Sequence, residues 1–154
     1  MIHIKKSPTA DTRTRDWSKV TKLELFDASH SHRRDVRRAM AFLVKELGLA
    51  AAHHDDDKVS DEGLEAFHAD FITGFKQTGW FENHLKVNRH HIDKPEGVCD
   101  DVNLIDVLEH IADCVMAGMA RSGSVYDIDL PPELLAKAVK NTVELLKAQV
   151  VIDE

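Results

Sequence analysis

The sequence predicts an all-α protein, and three observations carry that prediction. Leu, Ala, Val, Lys and Glu dominate a composition with only 6% aromatics, 4 Pro and 7 Gly, a bias that favours helices over a β-sandwich. From Ser29 onward, apolar residues recur at the spacing of one helix face. The 154 residues, 43% hydrophobic, suffice for one domain with its own core. The expected architecture is a bundle of about five core helices over residues 29–154, preceded by a short N-terminal extension over residues 1–28.

The extension is polar and turn-prone at Lys5–Thr9 and basic at Thr12–Arg15. Thr21–Phe26 alternates polar and apolar residues at period two, as a short strand or an extended arm would. Val36, Met40, Leu43, Val44 and Leu47 then predict a first helix over Ser31–Leu47, with Gly48 as its C-cap. A short second helix is expected over Leu49–Asp57. Ser60-Asp61-Glu62 opens a third, with Leu64, Phe67, Phe71 and Ile72 as its apolar face. Gly74 and Gly79 flank a turn, and a fourth helix runs from about Gly79 to His90 with Trp80, Phe81 and Val87 on its buried side. Residues 92–102 read as a loop.

Asn103 is placed to cap the next helix, whose stripe of Leu104, Ile105, Leu108, Ile111, Ala112 and Val115 is wide enough to be central. Ser122-Gly123-Ser124 ends it. Pro131-Pro132-Glu133 opens the last helix, with Leu134, Leu135, Ala138, Val139, Val143, Leu146 and Val150 along its buried face.

Composition also excludes. A net charge of -7 argues against a nucleic-acid groove, because counterion release needs a basic face. Arg33, Arg34, Arg37 and Arg38 lie close together with Asp35 between the pairs; the run reads as a solvated face, with Arg33 the candidate to meet a phosphate. No apolar run approaches the ~20 residues of a membrane span, and the N-terminus lacks the apolar core of a secretory signal, so a cytoplasmic location is expected. Cys99 and Cys114 lack CxxC spacing and are expected to be thiols rather than zinc ligands.

The ten histidines are not scattered. His30 and His32, then His53-His54-Asp55, then His84, His90 and His91 fall into short stretches, followed by Glu109-His110-Ile111-Ala112-Asp113. Imidazole nitrogen with carboxylate oxygen is the usual donor set for Mn, Fe, Mg or Co. On a helix His54 and Asp55 point about 100° apart, so both reach one ion only at a helix end. Glu109 lies one turn before Asp113 on the same face, suited to hold a water or a ligating histidine. His3, His53, His68 and His110 read as ordinary polar residues. His30 is the alternative to His32, and Asp106 the rival of Asp113.

The order of these residues resembles the HD-domain metal-dependent phosphohydrolases: a His on the first core helix (His32), an adjacent His-Asp pair (His54-Asp55) and a lone Asp on a later helix (Asp113), within Ile111-Ala112-Asp113-Cys114-Val115. The chain is similar, over roughly residues 30–145, to a small bacterial and phage group in that superfamily. The shared features are His32 with Val36, His54-Asp55-Asp56-Asp57-Lys58, Trp80 followed by His84, Asn88, His90 and His91, and Leu104–Glu109 leading into Asp113. That group usually has Ser where Asp57 stands and Trp where Cys114 stands.

The resemblance implies an HD-type helical core and a hydrolase, plausibly a nucleotidase acting on a nucleotide or nucleoside monophosphate. Its cofactor would be one or two divalent ions (Mn, Co, Mg, Fe or Ni) held by His32, His54, Asp55 and Asp113. Two-metal members add histidines in the interval occupied here by His84 and His90 or His91, and Asp55 would then bridge. Lys58, one turn after the pair, would contact a phosphate oxygen. Asp55, Lys58 and Glu109 are the catalytic candidates; Lys58 and Arg33 are the substrate contacts. The expected partner is a small phosphorylated substrate, with a homodimer left open. Three other readings stand beside this one: a di-iron HD-fold oxygenase, an all-α nucleoside-triphosphate pyrophosphatase, and a non-catalytic HD-fold binding protein. The pyrophosphatase reading fits least, because Glu109 and Asp113 stand four residues apart rather than the three of its Glu-x-x-Asp motif.

Overall fold

The structure, a computed structural model, describes residues 1–6, 17–76 and 78–153. The all-α expectation is met: among the described residues there are six α-helices, two 3-10 turns and two short strands. No described helix is long and apolar enough to cross a membrane. The chain divides into two units, Met1–Lys45 with Glu144–Glu154, and Glu46–Val143.

In the first unit the two ends of the chain pair. Strand β1 (Ile2–Lys5) lies parallel to β2 (Val150–Asp153), in register from Ile2↔Val150 to Lys5↔Asp153. Neither strand was expected; Val150 read as the end of a helix face. A ladder between segments this far apart in sequence leaves no local signal. His3 Nδ1 meets Asp153 Oδ1 at 2.9 Å, and Arg38 donates to the His3 carbonyl at 2.8 Å.

Arg38 lies on helix α1 (Lys22–His53), which corrects the reading of Thr21–Phe26 as strand or arm. The missed signal is Thr21-x-x-Glu24. Thr21 Oγ1 accepts from the Glu24 amide at 3.2 Å, and Glu24 Oε2 accepts from the Thr21 amide at 2.8 Å. That reciprocal pair starts the helix. At the other end α1 continues through Gly48, which was expected to stop it, and absorbs Leu49–His53. Leu49 and Ala50-Ala51-Ala52 follow, and these strong helix formers outweigh one glycine. The expected second helix shrinks to α2 (Asp56–Val59).

The rest of the second unit follows the sequence signals more closely. Helix α3 (Asp61–Phe71) starts at Ser60, whose side chain accepts from the Gly63 amide. Gly74 and Gly79, at φ 70° and 71°, make the turn into α4 (Trp80–Val87). The inward face of α4 is Trp80, His84 and Leu85; Phe81 and Val87, expected there, are exposed. His84 turns inward because a carboxylate waits for it, as described below.

After a 3-10 turn at Pro95–Gly97, α5 (Leu104–Ser122) opens on a capping box between Asn103 and Asp106 and ends at Gly123, φ 75°. Helix α6 (Pro132–Lys147) returns along it. Ile92, Val102, Val107, Leu134 and Ala138 form the buried core here. Thr142 Oγ1 accepts from the Leu104 amide at 2.9 Å, tying α6 to the start of α5. Cys99 and Cys114 are both free thiols.

Candidate metal centre

Helix α1 stops at His53, and His54 and Asp55 form the turn into α2. Asp55 sits at φ 56° and ψ 29°, the left-handed region that Asp tolerates better than most residues. This break sets the two side chains' relation. Instead of diverging as on a regular helix, His54 Nε2 and Asp55 Oδ2 come within 3.6 Å.

Asp55 is the hub. Its Oδ1 lies 3.6 Å from His84 Nε2 and 3.6 Å from His90 Nε2. Its Oδ2 faces His54 and receives Lys58 Nζ at 2.6 Å. Asp113 Oδ1 is 3.7 Å from His54 Nε2. Two groups share Asp55, each with its ligand atoms within 4.8 Å of one another: His54, Asp55 and His90, and Asp55, His84 and His91. His84 and His91 meet through their Nε2 atoms at 2.7 Å.

Around this hub stand carboxylates that aim the imidazoles. Glu109 Oε1 accepts from His54 Nδ1 at 2.9 Å and lies 3.1 Å from His90 Nδ1, the latter off the line of a hydrogen bond. Asp57 Oδ2 accepts from His84 Nδ1 at 2.8 Å, while its Oδ1 accepts from Asn88 Nδ2 at 2.9 Å. A proton held on Nδ1 leaves Nε2 as a lone pair directed at Asp55, the arrangement of metal-ligating histidines backed by carboxylates.

The charges agree with this geometry. Burial disfavours the Asp55 carboxylate, but the hydrogen bond from Lys58 and the nearby charges hold its carboxyl below the usual range. Burial likewise works against Glu109, and the adjacent His90 imidazole together with the hydrogen bond from His54 outweighs it. Burial, with His90 and His84 beside it, pushes the His91 imidazole down to about 4. Asp55 Oδ1 and His90 Nε2 are buried without a hydrogen-bond partner. A carboxylate oxygen and an imidazole nitrogen, both buried, 3.6 Å apart and without a hydrogen-bond partner, leave polar capacity that a cation between them would satisfy, so the residues present fit a cation.

The structure thus brings His54, Asp55, Lys58, His84, His90, His91, Glu109 and Asp113 to one place. Both His90 and His91 reach it, where the sequence could not choose between them. His32 and Arg33 are exposed on α1 within the first unit, and neither group includes them. His30 and Arg33 line a separate cavity of about 460 Å³ with Arg34 and Arg37. Asp106, the rival of Asp113, belongs to the cap of α5: its carboxylate accepts from the Asn103 amide and receives Arg89 at 2.8 and 2.9 Å.

Three residues the sequence reading passed over position the centre. Asp57 orients His84. His110, taken as an ordinary polar residue, is buried and donates from Nδ1 to the His90 carbonyl at 2.9 Å. Asp70, fully buried on α3, accepts from the amides of Thr78 and Phe81 at 3.0 and 3.1 Å and so caps α4, which carries His84. The available signal was a polar residue on an otherwise apolar helix face, which marks a partner without naming it. Beside the centre opens a cavity of about 350 Å³, with His54, Glu109 and Asp113 at its polar end. No family model, curated protein or solved structure matches the chain.

Proposed function

We propose that this protein is a metal-dependent phosphohydrolase acting on a small phosphorylated metabolite. The observation that carries the proposal is Asp55. One carboxylate is shared by two imidazole groups, with a buried oxygen that has no hydrogen-bond partner and faces His84 and His90 at 3.6 Å. His54, Asp55, His90 and Asp113 would hold one ion, and Asp55, His84 and His91 a second. A bound divalent cation would supply Lewis acidity, activating water and offsetting charge on the phosphoryl oxygens.

The chain's own residues supply the rest. Glu109 and Asp57 keep the Nδ1 protons of His54 and His84, so that their Nε2 atoms stay free to ligate. Lys58, now on Asp55 Oδ2, carries its ammonium on a flexible stem and can shift to a phosphate oxygen as a point charge. In the reaction water adds to phosphorus, the bond from phosphorus to the alcohol oxygen breaks, and the water proton ends on that oxygen. The products are an alcohol and inorganic phosphate. We place this reaction in the cytoplasm.

The donor set is rich in imidazole, which also suits iron, and that observation favours a second reading as a di-iron oxygenase. Loading the protein with Mn, Co, Mg or Fe and screening phosphorylated metabolites separates the two. Phosphate release by a colourless protein supports the hydrolase; oxygen consumption by a coloured iron protein with no phosphate release replaces it. His54→Ala and Asp55→Ala should lose bound metal and turnover together. If both keep wild-type metal content and activity, the centre is not where the chemistry occurs.

A further inference from the structure

From the cavity that opens on the metal centre, we infer that the substrate is a phosphomonoester whose organic part is apolar and uncharged, of about the size of an aromatic ring. This rests on the phosphohydrolase reading and narrows it. The cavity is continuous with the centre, because His54 and Asp113 line both. Its walls are Leu47, Ala50 and Ala51 at the end of α1 and Leu108, Ala112 and Met116 on α5. None of these side chains carries a charge or a strong hydrogen-bonding group.

The polar end is already committed. Glu109 is engaged by His54 and faces His90, and the free nitrogen of His54 points at Asp55 and Asp113. A ligand with its phosphate at the centre would therefore extend its organic group along alanine, leucine and methionine side chains. The groove is open, with Leu108 and Met116 48% and 69% exposed, so an apolar group laid along it would cover apolar surface, whereas a nucleobase edge or sugar hydroxyls would meet no hydrogen-bonding partner on these walls. The volume of about 350 Å³ stands at the small end of ligand pockets, which also disfavours a whole nucleoside. The nucleotide expected from sequence is thus a poorer fit than an aryl or short-chain alkyl phosphate.

The test uses the full chain loaded with manganese. Its probes are benzyl phosphate, methyl phosphate and adenosine monophosphate as substrates, and benzylphosphonate and methylphosphonate as ligands that cannot be hydrolysed. We expect benzyl phosphate to exceed the other two in kcat/KM, and benzylphosphonate to bind more tightly than methylphosphonate, each by about tenfold or more. Ala112→Phe fills the cavity and should abolish both preferences while metal content and helical circular dichroism persist; Ala51→Leu serves if that variant does not fold.

Equal or reversed preferences among hydrolysed esters overturn this inference and leave the hydrolase standing. Absence of phosphate release from every ester, with benzylphosphonate still preferred in wild type and not in Ala112→Phe, overturns the hydrolase and leaves the apolar site. A dimer by light scattering that Ala112→Phe dissociates, with no phosphonate preference, shows that a second copy occupies the cavity and overturns the inference.

Discussion

Lys58 Nζ stands 2.6 Å from Asp55 Oδ2, an ion pair in the middle of the histidine cluster. The ammonium neutralises a carboxylate that four imidazoles also surround. On the proposed reading it would compete with a bound cation for Asp55 and could move to a substrate phosphate.

Removing that ammonium should separate the two roles. Lys58→Met should bind manganese at least as tightly as wild type, because Asp55 loses a competitor, while kcat/KM for the best phosphomonoester falls about tenfold or more. Titration calorimetry and phosphate release, run on the same preparation, give the two numbers. A metal affinity that collapses would make Lys58 a support for the site rather than a substrate contact.

Glu109 and Asp57 make the centre's geometry without needing to ligate. Glu109→Ala and Asp57→Ala should each weaken metal binding by about 10- to 100-fold, with circular dichroism unchanged. Glu109→Gln should recover part of the loss, since an amide oxygen still accepts from His54 Nδ1. Metal affinity equal to wild type in both alanine variants would show that the imidazoles hold their orientation by packing alone.

Asp70 should matter to stability first. Its two oxygens satisfy the Thr78 and Phe81 amides at the start of α4. Asp70→Ala leaves those donors without their acceptor and should lower unfolding free energy by about 1–3 kcal/mol in urea titrations. A midpoint shift near zero would mean that water replaces the carboxylate at no cost.

His91 gives the metal-free protein a pH dependence whose sign can be worked out. In the unfolded chain its imidazole titrates near about 6.5. In the fold, burial and the neighbouring His90 and His84 push it down to about 4. Between those values the unfolded chain binds the extra proton, so stability should fall as pH drops from about 6.5 toward 4 and should be flat in this respect above that window. Urea midpoints taken from pH 4.5 to 7.5 in chelator would show the slope, and His91→Gln should reduce it; an unchanged slope would assign it to other groups.

By itself the sequence determined the all-α class and several element boundaries: Ser60 before α3, the Asn103–Asp106 box before α5, Gly123 after it, and the proline start of α6. These are legible because caps and helix faces are contracts between residues three or four apart. The same locality singled out His54, Asp55, Lys58, Glu109 and Asp113 as a set to watch. Thr21-x-x-Glu24 was equally local and was outvoted by a period-two pattern over too few residues.

What only the tertiary structure decided is convergence. That His90 and His91 both reach Asp55, that Asp106 is a cap rather than a site residue, that Asp57 aims His84, and that β1 meets β2 all depend on groups brought together from distant stretches of chain. Periodicity reports that a helix face is buried, averaged over its residues; it does not say against what. A buried polar side chain such as His84, His110 or Asp70 is tolerated only with its partner, and the partner arrives by folding.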